Sequence, residues 1–189
     1  MNTLKNSYKG VYDIFRYYWK IYGGWKELLC SPYLHVAIFL LFLTHHQWLS
    51  RGWWDNSLSI LPTLLGFSVG GFAIFLGLGD EVFRSILAEK DEHESFSTYT
   101  LVSSTFVHFI FVQCLAIIFA LLAQSFAYQP NWLPDKFMLY FLYITPIFWG
   151  LGYLLFLYSI MTMLATVMAI FRCSKWYEEY QSNINNMED

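Results

Sequence analysis

The stretch Tyr99–Ala127, YTLVSSTFVHFIFVQCLAIIFALLAQSFA, runs 29 residues without an Asp, Glu, Lys or Arg. About 20 apolar residues are enough to carry a helix across the hydrocarbon of a bilayer, so this run predicts a transmembrane helix. Three more runs join it, at roughly Tyr33–Leu49, Ser57–Leu78 and Phe137–Phe171, and no acid falls in any of them. The whole chain is 57% hydrophobic and 21% aromatic, with 13% charged residues, about half the charged fraction of a soluble domain. Its composition places it in a membrane.

The hydrophilic joints Ser50–Asn56, Gly79–Thr98 and Tyr128–Lys136 are too short to hold a soluble domain. Lys5, Lys9, Arg16, Lys20 and Lys26 precede the first span, Arg84 and Lys90 lie in the second joint, and Arg172 and Lys175 follow the fourth span. Only Arg51 and Lys136 fall on the other side. By the positive-inside rule this bias puts both termini and the middle joint in the cytoplasm. The expected fold is all-α: a polytopic membrane protein with four transmembrane helices after an N-terminal interfacial amphipathic helix. Residues 1–30 form the interfacial segment, 31–171 the transmembrane domain with its cytoplasmic joint at 79–98, and 172–189 a polar tail expected to fray after Trp176 and Tyr177. No small-residue cleavage pattern precedes the first span, so the segment is expected to stay attached. Cys30, Cys114 and Cys173 face no oxidising compartment in this topology, and no disulfide is expected.

Within residues 5–22, Lys5, Lys9, Arg16 and Lys20 share one helical face, and Val11, Ile14, Phe15, Tyr18, Ile21, Tyr22 and Trp25 the opposite one. This pattern suits a helix lying on anionic lipid, or one packed across the inner ends of the bundle. Gly23-Gly24 allows a turn, and Ser31-Pro32 reads as N-cap and first-turn residue of span one. His45 and His46 are adjacent, so they point about 100° apart on a helix, unlike a zinc pair at i and i+4. Trp48, Trp53 and Trp54 read as an interfacial aromatic belt.

Span two contains Gly66–Asp80, GFSVGGFAIFLGLGD. Each glycine costs about 1 kcal/mol against alanine in a helix interior, so a compensating contact is expected. Gly66, Gly70, Ala73 and Gly77 fall on one side, a small-xxx-small stripe for a helix seam within or between subunits, with a hinge or pore lining as the other readings. A phosphate loop is excluded, because the stretch has no lysine.

In the joint, Asp80, Glu81, Arg84, Glu89, Asp91, Glu92 and Glu94 form an acid-rich surface, with Asp80 and Arg84 spaced for an ion pair. It is either a solvated face or a docking patch for a soluble partner. In span three Ser104 and His108, followed by Gln113, Ala116, Ala120, Ala123 and Gln124, share a face. Ionisable groups at such depth mark structure-bearing hydrogen bonds or proton and ion handling. Span four is longer than a crossing needs, so a kink at Pro146 or emergence toward Arg172 is expected. Ser159, Thr162, Thr166, Ala169 and Cys173 make a second small stripe that would line water or pack.

No nucleophile, base and acid converge in a known order, and no spacing fits a nucleotide, haem or iron-sulfur group. The expectation is a protein that is not an enzyme, without cofactor or metal, with no direct nucleic-acid contact, whose partners are membrane lipid, further copies of itself and a cytoplasmic protein. Leu61–Ala73, LPTLLGFSVGGFA, followed by Gly79–Arg84, GDEVFR, in a small four-span chain resembles inner-membrane proteins that accompany bacterial phage-defence genes, the membrane subunits of Kiwa systems among them. That resemblance implies a homo-oligomer that senses envelope disturbance and holds a cytoplasmic effector, or one that opens the membrane when triggered. It carries over no site residues. A scaffold or sensor is the first expectation, with a gated pore and a small-solute or lipid transporter as alternatives.

Overall fold

The computed structural model describes residues 2–49, 52–90, 94–127 and 135–188, which form helices joined by short turns with no strand among them. Helix α1 (Asn2–Tyr22) ends where Gly23 and Gly24 take left-handed φ values of 100° and 64° and reverse the chain into α2 (Gly24–Cys30). Ser31 is extended and Pro32 opens α3 (Pro32–Leu43), as expected. The serine side chain does not cap, however. Its carbonyl accepts from the N–H groups of Leu34 and His35 at 3.1 and 3.2 Å.

Span one differs from the expected single helix. It begins at Pro32 as expected, with α2 and α3 meeting at a bend of 55°, but α3 stops at Thr44, whose N–H and hydroxyl both donate to Leu40 O. A five-residue helix α4 (His45–Leu49) follows. Thr44 leaves helical geometry at φ −101° and ψ 24°, and its carbonyl accepts from Gln47 N–H at 2.8 Å as α4 begins.

The long helices are α5 (Trp53–Gly77), α7 (Thr98–Phe126) and α8 (Asp135–Glu188), with the short α6 (Glu81–Ala88) between the first two. Among the described residues three helices are long and apolar enough to cross a membrane, four if α2 and α3 together make one broken span. At 1.5 Å per residue α7 is about 43 Å long, roughly 13 Å more than a hydrocarbon core. Helix α8 has 54 residues, with Pro146 inside it, and continues to Glu188. The expected fraying after Tyr177 is therefore corrected: no Gly or Pro follows Gly152 in the sequence to stop the helix.

Helix α7 is the centre of the bundle, packing on α5, α8, α1 and α6, while α8 also covers α3 and α4. Ala116, Ala120 and Ala123 are fully buried along its inner face, where small side chains allow close backbone approach. Trp53 and Trp54, expected in a lipid-facing belt, are instead buried in the core. Trp53 packs edge-on against Tyr153 and Trp54 against Trp149. Gly152 makes room for this, since a Cβ there would come within 2.7 Å of the Trp53 ring. A second cluster, around Phe75, Phe106 and Cys173, joins α5, α7 and α8.

Candidate functional site

His108 lies on the buried face of α7, at 2% exposure. Tyr18 of α1 places its hydroxyl 2.7 Å from Nδ1, and Tyr158 of α8 places its own 3.0 Å from Nε2. Tyr22, one turn after Tyr18, stacks on the imidazole with ring centroids 3.8 Å apart and planes 13° from parallel. In the neutral ring one nitrogen donates and the other accepts. One tyrosine therefore donates to His108, and the other accepts from it while keeping its own O–H. The Tyr158 hydroxyl also interacts with Tyr22 and Ser31. Burial, with the Tyr158 phenol close by, holds the phenols of Tyr18 and Tyr22 well above their ordinary range, so both remain protonated.

This arrangement satisfies both ring nitrogens and ties α1 to two spans. Tyr18 and Tyr22 were legible only as part of an apolar face. A pair of hydroxyl-bearing rings at i and i+4 on that face was the available signal for a buried polar partner. Tyr158 had none, being one tyrosine among many in an apolar run.

Against this centre opens an apolar cleft of about 620 Å³, walled by residues of α1, α2, α3, α7 and α8. Trp19, Trp25, Leu34, Leu115 and Leu155 contribute one wall side chain from each of those helices, and His108 and Tyr158 reach it as well.

The other intramembrane polar residues are also inside. Ser104 Oγ donates to Leu101 O within its own helix at 2.7 Å. Gln113, fully buried, donates from Nε2 to Ser68 Oγ at 2.9 Å, and its Oε1 has no partner. On α8, Ser159, Thr162 and Thr166 are fully buried, and each hydroxyl donates to a carbonyl of its own helix. This stripe packs; it does not line a lumen within the chain.

The glycine stripe faces the other way. A Cβ on Gly66, Gly70 or Gly77 would meet nothing within 4 Å, and Ala73 is exposed. The seam within the chain is thereby corrected: it runs through Gly71, where a Cβ would lie 2.9 Å from Ile170 Cδ1 and 3.1 Å from Thr166 Cγ2. Gly70 and Gly71 are adjacent and point about 100° apart.

In the joint, Asp80 does not pair with Arg84. It caps α6, accepting from Phe83 N at 2.8 Å, and accepts from the Tyr180 hydroxyl at 3.3 Å. Phe83 is buried between the rings of Tyr177 and Tyr180 of α8. Glu81, Glu89 and Glu94 are exposed and Arg84 half-buried, whereas Asp91 and Glu92 lie outside the described residues. Glu81, Arg84, Ser85, Ala88 and Tyr99 bound an open groove. On α1, Lys5, Lys9, Arg16 and Lys20 are all exposed, Lys20 with Nζ 6.0 Å above the Phe96 ring. The rings of His45 and His46 lie 3.9 Å apart, and no group of three His, Cys or acidic residues suited to a metal forms among the described residues.

Fold and site together describe a chain that is all-helical among the described residues, with three or up to four helices long and apolar enough to cross a membrane, consistent with a multi-pass membrane protein, and an N-terminal helix fastened to its bundle through a histidine and tyrosines. Comparison with protein families, curated proteins and solved structures finds no match.

Proposed function

We propose that the chain is a homo-oligomeric scaffold and sensor of a phage-defence system in the bacterial inner membrane, with both termini and the α5–α7 joint in the cytoplasm, and that it holds a soluble effector there. One observation carries the sensor reading: α1 is half free and half fastened. Tyr8, Val11, Tyr12 and Ile14 are exposed apolar residues beside Lys5, Lys9 and Arg16, a face made for a lipid surface. One and two turns after Ile14, Tyr18 and Tyr22 hold the buried His108. Disturbance of the inner leaflet that lifts α1 would pull directly on a group bonded to both α7 and α8. If the surplus length of α7 emerges on the inner side, His108 stands near the level of the headgroups, where such a helix rests.

Oligomerisation is supported by the outward stripe on α5. The cost of Gly66, Gly70 and Gly77 is offset by no contact within the chain, which leaves a second copy as the natural occupant of that flat face. The effector would dock on α6, where Val82 and Ile86 are exposed next to Glu81 and Glu89. Asp80 is withdrawn from that patch by its bonds to Phe83 and Tyr180. A conducting role would have to rest on α5, because the polar stripe of α8 is packed inside.

The test is the mass of the protein purified in mild detergent, by light scattering, with reporter fusions at Glu94 and Glu188 for topology. A closed oligomer with both reporters cytoplasmic supports the proposal. A monomer removes the scaffold, and an external Glu94 reporter removes the docking face.

A further inference from the structure

We infer that the cleft beside His108 is a binding site for one acyl chain of an anionic phospholipid, entered from the inner leaflet. Trp19 and Trp25 close it on the side of α1 and α2, and Leu34, Leu115 and Leu155 on the side of the bundle. Its volume of about 620 Å³ falls in the range of ligand pockets, roughly 300–1,000 Å³. Its walls are mostly aliphatic and aromatic, and the polar atoms of His108 and Tyr158 already bond each other. An extended peptide would bring backbone N–H and C=O groups with few partners to meet them, whereas an acyl chain brings none.

The charge around the cleft selects the headgroup. Residues 1–30 carry five cations, Lys5, Lys9, Arg16, Lys20 and Lys26, against Asp13 and Glu27, although the chain as a whole is net −3. Arg16 directly follows the wall residue Phe15, and Lys26 follows Trp25. Both are exposed and form no ion pair among the described residues. Together with the other cations of residues 1–30 they give the helices that wall the cleft a positive surface for an anionic headgroup, while the acyl chain fills the apolar interior. A chain held there touches protein from five helices, unlike boundary lipid, which touches one side only, so it should survive detergent extraction.

This rests on the reading of α1 as a helix on the inner face, yet its test needs neither effector nor trigger. The purified protein in mild detergent is mixed with palmitoyl-oleoyl phosphatidylglycerol or the phosphatidylcholine of the same chains, and retained lipid is counted by native mass spectrometry. One phosphatidylglycerol per chain is expected, with about tenfold preference over phosphatidylcholine. Leu151→Trp, at an exposed wall position of α8, should lower retention about tenfold while circular dichroism is unchanged. The double change Arg16→Gln with Lys26→Gln should bring phosphatidylglycerol down to the phosphatidylcholine level. Should Leu151→Trp fail to fold, Leu115→Phe fills the cleft from α7 and is read in the same way. Equal retention of the two lipids, or retention unaffected by filling the cleft, overturns the site. That result leaves the sensor reading standing, and a monomeric mass removes the scaffold without touching the lipid site.

Discussion

Tyr22 lies nearly flat on His108, ring centroids 3.8 Å apart, while Tyr18 one turn earlier donates to or accepts from the same imidazole at 2.7 Å. A stacked ring and a hydrogen bond on one buried group make His108 the polar attachment of α1, beside the packing of Phe15 and Tyr18 on Phe111. The outer half of α1, by contrast, shows its apolar residues to the surroundings.

Removing one hydroxyl should loosen that attachment without unfolding the bundle. Tyr18→Phe keeps the ring and deletes the bond, at a cost of about 1 kcal/mol. Amide hydrogen exchange across residues 13–22 should then quicken about fivefold, with α5 and α7 unaffected. Unchanged exchange would show that stacking alone holds the helix.

The turn at Gly79 requires glycine for two reasons. Its φ is 75°, and a Cβ there would lie 2.5 Å from Phe83 Cδ1. Gly79→Ala should cost about 1–3 kcal/mol and release Phe83 from Tyr177 and Tyr180. Gly77→Ala, two residues earlier in open space, should leave the isolated chain as stable or slightly more so. Thermal melts in detergent compare the two directly.

Neighbouring glycines on α5 should respond in opposite ways. Gly71→Leu pushes into Ile170, Thr166 and Phe106 and should lower the melting temperature through overpacking, by about 1–3 kcal/mol. Gly70→Leu meets nothing in the chain and should leave the fold intact while reducing the mass to that of a monomer. An oligomer that survives Gly70→Leu would place the subunit contact elsewhere.

Asp80 offers a test of how α6 is held. Asp80→Ala loses the cap on Phe83 N and the acceptor for Tyr180, a cost of about 1 kcal/mol. Phe83→Ala empties a buried aromatic site and should cost about 3–5 kcal/mol. Limited proteolysis within 80–98 should speed up modestly for the first and strongly for the second. If both are cut at the wild-type rate, α6 is not anchored by α8.

Sequence alone placed the long spans, because twenty apolar residues in a row have one stable solution in a bilayer, a helix that satisfies its own backbone. It also picked out the buried face of α7, since Ser104, His108, Gln113 and the alanines recur at helical spacing. Ser31-Pro32 marked the start of α3, but the stop at Thr44 and the run of α8 to Glu188 were not legible, because no Gly or Pro marks the first and a polar tail hides the second. What only the tertiary structure decided was which side of each helix meets which neighbour. Periodicity defines a stripe but not its partner, so Gly70 and Gly71 look alike in the chain, and so do a lipid-facing and a core tryptophan. Packing against α7 and α8 sends Gly71, Trp53 and Trp54 inward and Gly70 outward, and it brings Tyr18 and Tyr158, 140 residues apart in the chain, onto the two nitrogens of one histidine.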